Sequence, residues 1–268
     1  FPTRRSSDLT LIFSRELVIF SNPILLLFFF LKKRAVHFVQ SVDENLFSAE
    51  DFGYVKATIF RRLFLFSLYF SRTSRVFNSK LTEMHYKRFK RGLGVYKAEH
   101  NLYFKDAQKL ENKILSKNPN QCVWIGTLHH RKGFDDLLAI AQNSPNFLFK
   151  CIVSGGIAEF DYLPQNVEIF FNLDHKEVMK IIEISKISII TSSFESLSLP
   201  IYEGLLYQNK VLAKVSKYLS INEIENYVTT YSSPSEVQLE NLKNRGKFAF
   251  KDPTSDNLIL TRAIFNEI

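Results

Sequence analysis

Two carboxylates and a proline stand out in Thr191–Lys210, which reads TSSFESLSLPIYEGLLYQNK. Glu195 lies in a polar stretch, and Glu203 lies one turn into the apolar segment that Pro200 opens. The β-branched run Ile187-Ser188-Ile189-Ile190 comes just before. A buried strand, a short polar loop and a helix with Pro in its first turn make a corner that attracts anions. The unpaired N–H groups and the positive end of the macrodipole both point into it. Carboxylates are poor phosphate ligands but accept hydrogen bonds readily from sugar hydroxyls. Together these residues point to a sugar held through its phosphates and its hydroxyls at once.

The elements that must position them form a regular series from Cys122 onward. Short apolar strands are expected at 122–126, 148–153, 167–171, 187–191 and 210–214. Helical stretches fall between them at 134–143, 174–184 and 200–208. This alternation predicts a parallel, doubly wound α/β sheet. Such sheets bind ligands beyond the carboxyl ends of their strands, and Gly126, Gly155 and the 192–199 loop all lie there. Cys122 and Cys151 sit in apolar strand-like runs and read as reduced core residues, as in a cytosolic protein. No CxxC, no HExxH and no group of His and carboxylates at ligand spacing suggests a metal site.

With these residues in view, ESLSLPIYE (Glu195 to Glu203) resembles the acidic motif of the GT-B-fold retaining glycosyltransferases of family four, the glycosyl transferases of group one. The usual form there is E-G-F-G-x-P-x-x-E-A. VWIGTLHHRKGFDDLL (Val123 to Leu138) resembles the family's G-R-L-x-x-x-K-G-x-d-x-L-L, and Ile152-Val153-Ser154-Gly155-Gly156 stands where the family has a strand ending in a glycine pair. The three motifs come in the family's order and spacing.

The resemblance implies a GT-B fold of two Rossmann-like doubly wound domains facing a cleft, and transfer of a sugar from a nucleotide diphosphate to an acceptor hydroxyl with retention. It makes a UDP- or GDP-linked sugar the substrate, with no cofactor and no metal. Lys132, just before Gly133 at a helix entrance, matches the lysine that binds the donor diphosphate and offsets the charge growing there. Glu195 matches the carboxylate that faces the transferred sugar, and these two are the expected catalytic residues. Glu203 matches the carboxylate that accepts from the ribose hydroxyls. Gly126, Gly155 and Gly156 leave room for the nucleotide, while Ser196, Leu197, Ser198 and Leu199 form the phosphate-side loop. The chain departs from the family at several of these places. Thr127 replaces an Arg, whose charge Arg131 would have to supply. Ser196 and Ser198 replace glycines, and on the acceptor side Gln40 stands where the family often has a His.

The domains expected are a non-native leader at 1–9 (FPTRRSSDL), a partial N-terminal acceptor-side domain at 10–110 and a C-terminal donor-binding domain at 111–268. In the N-terminal part, strands are expected at Leu17–Phe20, Ala35–Val39 and near Val76, with helices at Ile24–Leu31 and Leu81–Arg91. A last strand is expected at Tyr96–Phe104, and a linker at Lys105–Gln121. The apolar run Ile24–Leu31 is shorter than the ~20 residues of a transmembrane span. Asp256–Ile268 is expected to begin a helix that crosses back to the N-terminal domain.

The net charge of +8 is unevenly placed. Residues 1–110 hold 19 Lys and Arg against 9 Asp and Glu; the rest hold 16 against 18. A basic half next to a neutral one meets something anionic. No nucleic-acid reading motif is present, and the accompanying Phe and Tyr favour a membrane surface. IFRRLFLFSLYFSRTSR (Ile59 to Arg75) carries an aromatic stripe among Arg61, Arg62, Arg72 and Arg75. It reads either as a helix packed on the sheet with snorkelling arginines or as an amphipathic helix lying on anionic lipid. The expected partners are therefore a nucleotide sugar, a glycan or lipid-linked acceptor and an anionic membrane. The expected place is the cytoplasm, at the inner face of the cell membrane. The other function class left open is a non-catalytic, membrane-peripheral nucleotide-binding protein with a degenerate form of the fold.

Overall fold

A computed structural model divides the chain into two compact units, Phe1–Asn101 with Asp252–Ile268, and Leu102–Lys251. It describes residues 11–13, 18–20, 35–41, 52–89, 92–96, 98–111, 115–155, 160, 162–216, 219 and 224–266. The expected leader at 1–9 and helix at 24–31 lie outside the described residues. The last helix groups with the first unit, so the partition differs from a single break at 110/111.

The first unit holds a five-stranded sheet in the order β1 (Leu11–Phe13), β2 (Val18–Phe20), β3 (Ala35–Val39), β4 (Ser74–Phe77), β5 (Gly92–Val95). The β1–β2 pair is antiparallel and the other pairs are parallel. Between β3 and β4 runs α1 (Tyr54–Phe70). It buries Ala57, Phe64, Ser67 and Leu68, and its Phe64 and Leu68 share a core with Ala35, Val39, Phe77, Tyr86 and Phe89. His37 is buried in β3, edge-on to Phe64. Arg75 does not belong to the surface arginines: it is 1% exposed, and its Nη2 donates to the Leu68 carbonyl at 2.6 Å.

Three expectations for this region are corrected. The helix expected at Leu81–Arg91 is only α2 (Lys80–His85), because Tyr86 and Phe89 turn inward to pack on one another and the core. The strand expected at Tyr96–Phe104 and the linker at Lys105–Gln121 are replaced by α3 (Ala98–Leu110) and the start of the next strand. Ala98, Glu99, Leu102, Lys105, Gln108 and Lys109 are all good helix formers, and Tyr103 is the aromatic that α3 buries.

The second unit is a six-stranded, wholly parallel sheet. Its elements in chain order are β6 (Asn118–Gly126), α4 (Phe134–Gln142), β7 (Leu148–Val153), β8 (Val167–Phe171), α5 (His175–Ile184), β9 (Ser185–Ile190), α6 (Leu199–Leu206), β10 (Lys210–Lys214) and β11 (Thr229–Tyr231). Side chains alternate across the sheet, and both faces are covered. Cys122, Trp124, Phe149, Cys151, Ile187 and Ile189 pack with Phe134, Leu137 and Ile140 of α4. On the other face Val123 and Ile152 pack with Val178 and Ile182, one turn apart on α5. α5 begins at a capping box in which Asp174 and Glu177 each accept from the other's backbone N–H, at 2.8 and 2.9 Å. Cys122 and Cys151 are free thiols, and burial pushes both far above the ordinary thiol range. In the first unit α7 (Thr254–Asn266) closes the chain beside β5, with Leu260 Cδ1 3.6 Å from where a Cβ on Gly94 would stand.

Candidate functional site

The strand order of the second sheet decides where a ligand can sit. It reads β11-β10-β9-β6-β7-β8. The chain moves outward from β6 through β7 to β8, then returns to β6's other side and moves outward again through β9, β10 and β11. The loops leaving β6 and β9 therefore start at neighbouring strand ends and run to opposite sides of the sheet. In sheets of this kind ligands bind beyond the carboxyl ends at such a reversal. The residues after Gly126 and after Ile190 occupy that place.

These two loops are bonded to each other. The first passes through a short 3-10 turn, His130–Lys132, and reaches α4 through Gly133, which has φ +66°. The second runs from Thr191 to Ser198. Ser193 donates its backbone N–H to the Arg131 carbonyl at 3.0 Å, and the Thr191 hydroxyl donates to the Lys132 carbonyl at 2.6 Å. Arg131 Nη1 donates to the Phe194 carbonyl at 3.3 Å. The Lys132 ammonium donates to the Glu195 carboxylate, which also has Arg131 Nη1 at 4.0 Å. Two cations around one carboxylate leave one net positive charge among these three side chains. Lys132 and Glu195 are largely shielded, with side chains 18% and 10% exposed, whereas Arg131, the second cation, is 34% exposed and meets water.

Three residues past Glu195 the chain enters α6, with Pro200 in its first turn. Ser198 is the N-cap residue, yet its side chain caps no backbone N–H. It is buried, and its Oγ has no hydrogen-bond partner among the described residues. A buried hydroxyl at a helix N-terminus stands beside the helix's first N–H groups, and both are able to donate to an anion.

Glu203, buried to 3% exposure on α6, accepts from the Tyr103 hydroxyl of α3 at 3.0 Å. Tyr103 meets Phe250 edge-on at 6.0 Å, and Phe250 meets Phe248, which packs on Tyr202 and Tyr227. An aromatic strap from 248–250 thus backs the helix that carries Glu203.

The structure brings Arg131, Lys132 and Glu195 into contact; Ser196, Leu197 and Ser198 continue the same loop, and Leu199 is the first residue of α6. Gly126 closes β6, where its carbonyl accepts from Ser154 N at 2.9 Å, and Thr127 follows it. Gly155, with φ +113°, donates its N–H to Asn172 Oδ1 at 3.1 Å, and no described residue lies within 4 Å of where its Cβ would be. Gly156 lies outside the described residues. Gln40 belongs to the first unit, just past β3, where its carbonyl accepts from Asn78 Nδ2. Sequence reasoning missed Tyr103, Trp124, Thr191 and Ser193 as supports of the site. Among the described residues no three or more His, Cys, Asp and Glu gather as a metal-holding group.

No protein-family model and no curated protein sequence matches the chain. Solved structures do. Sucrose-phosphate synthase from Thermosynechococcus elongatus matches with a TM-score of 0.55 and 15% identity, over 87% of this chain and 61% of that one. A UDP-forming α,α-trehalose-phosphate synthase from Burkholderia xenovorans matches at 0.49 and 10%, over 92% and 74%. WaaG, a glycosyltransferase involved in lipopolysaccharide biosynthesis, matches at 0.47 and 14%, over 87% and 69%. The likeness to the sucrose-phosphate synthase is one of fold, the GT-B-like α/β fold of two parallel-sheet Rossmann-like units. The chain spans 61% of the length of that synthase.

Proposed function

We propose that this chain is a glycosyltransferase of the GT-B retaining family-four type, moving a sugar from a UDP- or GDP-linked donor to a glycan or lipid-linked acceptor. One observation carries the reading. At the point where the strand order reverses, Lys132 and Arg131 meet Glu195, three residues before the N-terminus of α6, where the buried Ser198 hydroxyl has no partner among the described residues.

In this reading the donor diphosphate binds the Lys132 ammonium, the Ser198 hydroxyl and the N–H groups that open α6. Lys132 then faces the oxygen on which charge grows as the sugar–phosphate bond breaks, and that is where a fixed cation lowers the barrier. Glu195 is the first group the diphosphate displaces from Lys132, and so it becomes an acceptor for the sugar hydroxyls. Glu203, oriented by Tyr103, accepts from the ribose, and Gly155 gives the base room against the backbone. Thr127 supplies no charge, so Arg131 is the second cation of the site.

The acceptor side falls to the first unit and Gln40. Its helix α1 presents Val55, Ile59, Leu63, Phe66, Tyr69 and Phe70 to solvent, with Tyr69 73% and Phe66 56% exposed. Lys56, Arg62 and Arg72 are exposed around this stripe. An apolar stripe with basic neighbours suits the boundary of an anionic membrane, which supports a place at the inner face of the cell membrane. Among the described residues no helix is long and apolar enough to cross a membrane.

The test is thermal unfolding with UDP, GDP, ADP and their sugars, on the wild type and on Lys132→Ala and Glu203→Ala. A ligand at about a hundred times its dissociation constant adds roughly 2.7 kcal/mol, a rise of ~5–10 °C. The expected result is a rise with one nucleotide that both variants lose. A folded protein that responds to none of them rejects the donor-site reading.

A further inference from the structure

We propose that Trp124 and Thr191 are positioning residues, a two-bond clamp that holds the Arg131–Gly133 turn so that Lys132 is presented to its anion; the anion itself rests on the donor-site reading above. The Trp124 indole N–H donates to Thr191 Oγ1 at 2.8 Å, and that hydroxyl donates onward to the Lys132 carbonyl at 2.6 Å. The direction is forced, because an indole only donates and a carbonyl only accepts. Trp124 is 2% and Thr191 1% exposed, so water cannot stand in for either bond.

Each end of the clamp is fixed. A Cβ on Gly126 would stand 2.6 Å from the Trp124 ring, and Phe134 meets that ring at 5.3 Å. A Cβ on Gly133 would stand 2.4 Å from the Thr191 carbonyl oxygen. The Arg131 carbonyl is taken by Ser193, through its backbone N–H at 3.0 Å and its hydroxyl at 3.3 Å. Two successive carbonyls, of the two cationic residues, are therefore pinned to the β9 loop, and the peptide between them cannot turn. The Lys132 side chain leaves a backbone already in place, so binding an anion orders only the side chain.

Thr191→Val keeps the shape and removes both bonds, whereas Thr191→Ser keeps the hydroxyl. Amide hydrogen exchange is the first readout. In Thr191→Val the Gly133 and Ser193 amides exchange about tenfold faster or more, the Phe149 amide of β7 keeps its rate, and Thr191→Ser restores the wild-type pattern. Unchanged rates at Gly133 and Ser193, or an equal acceleration at Phe149, overturn the clamp. If Thr191→Val does not fold, Trp124→Phe removes the indole donor alone and is read by the same amides. The second readout is titration with pyrophosphate, UDP, GDP and ADP. The probe that the wild type binds is weakened about tenfold in Thr191→Val and bound normally by Thr191→Ser, and equal affinity in Thr191→Val overturns the presentation of Lys132. A wild type that binds none of the probes rejects the donor-site reading, and the exchange rates still decide the clamp.

Discussion

Lys132 and Glu195, 63 residues apart in sequence, form an ion pair between the loops that leave β6 and β9. Each is thereby kept from being a lone, shielded charge. In the proposed donor site, a diphosphate would have to take Lys132 from Glu195. Glu195→Gln removes that competition and a nearby negative charge. The expected result is pyrophosphate or nucleoside diphosphate bound about threefold to tenfold more tightly, about 1 kcal/mol, with sugar transfer lost. A fall in diphosphate affinity in Glu195→Gln would mean that the carboxylate supports the anion instead of competing with it.

The Tyr103 hydroxyl sets the orientation of Glu203 from 100 residues away. Tyr103→Phe keeps the ring against Phe250 and removes the bond, costing ~1.5–3 kcal/mol for a bond to a charged acceptor. Urea unfolding measures that loss. If Glu203 accepts from the ribose, wild type prefers a nucleotide over its 2′,3′-dideoxy analogue, and Tyr103→Phe narrows the preference. An unchanged preference leaves Tyr103 as packing alone.

Gly133 and Gly155 both have positive φ, at +66° and +113°, but in different surroundings. A Cβ at 133 meets the Thr191 carbonyl oxygen at 2.4 Å, while among the described residues nothing lies within 4 Å of one at 155. Gly155→Ala costs backbone strain only, about 1–2 kcal/mol. Gly133→Ala adds a backbone collision that separates the two loops, for ~3 kcal/mol or more. Thermal midpoints should rank wild type, Gly155→Ala, Gly133→Ala in falling order. Equal losses would contradict the close approach of the loops.

Much of the second sheet was legible because its strands are short apolar runs bounded by turn residues. The bounds 148–153, 167–171 and 210–214 are those of β7, β8 and β10. The loop carrying Glu195 and the turn carrying Lys132 were legible from their residues, and so was their place at strand ends. Their pairing with each other was not. Trp124 and Thr191 are 67 residues apart, and Tyr103 and Glu203 are 100 apart. Nothing local in a sequence encodes which distant partner a hydroxyl will find. The strand at Tyr96–Phe104 was expected from the family resemblance alone, and the helix formers around Tyr103 with its burial on one face of α3 prevailed. Leu81–Arg91 failed in the opposite sense, since burial of Tyr86 and Phe89 ended a helix that composition would have extended.

The exposed stripe of α1 gives the membrane proposal a direct check. Phe66→Ser with Tyr69→Ser removes apolar area, and Arg62→Glu reverses a flanking charge. Co-sedimentation with vesicles of phosphatidylglycerol and phosphatidylcholine should show wild type bound and both variants weakened, with Arg62→Glu weakened more at low salt than at high. Binding of wild type to pure phosphatidylcholine at the same level would remove the anionic part of the proposal.

The measurement that goes most directly to the donor site is calorimetric titration of the folded chain with UDP, GDP and ADP, on wild type, Lys132→Ala and Ser198→Ala. The expected result is one molecule bound per chain for one of the three nucleotides. Lys132→Ala should weaken it by about 10- to 100-fold, and Ser198→Ala by about threefold to tenfold. Binding that both variants leave at the wild-type affinity would place the nucleotide away from the ends of β6 and β9, and would contradict the site proposed for it.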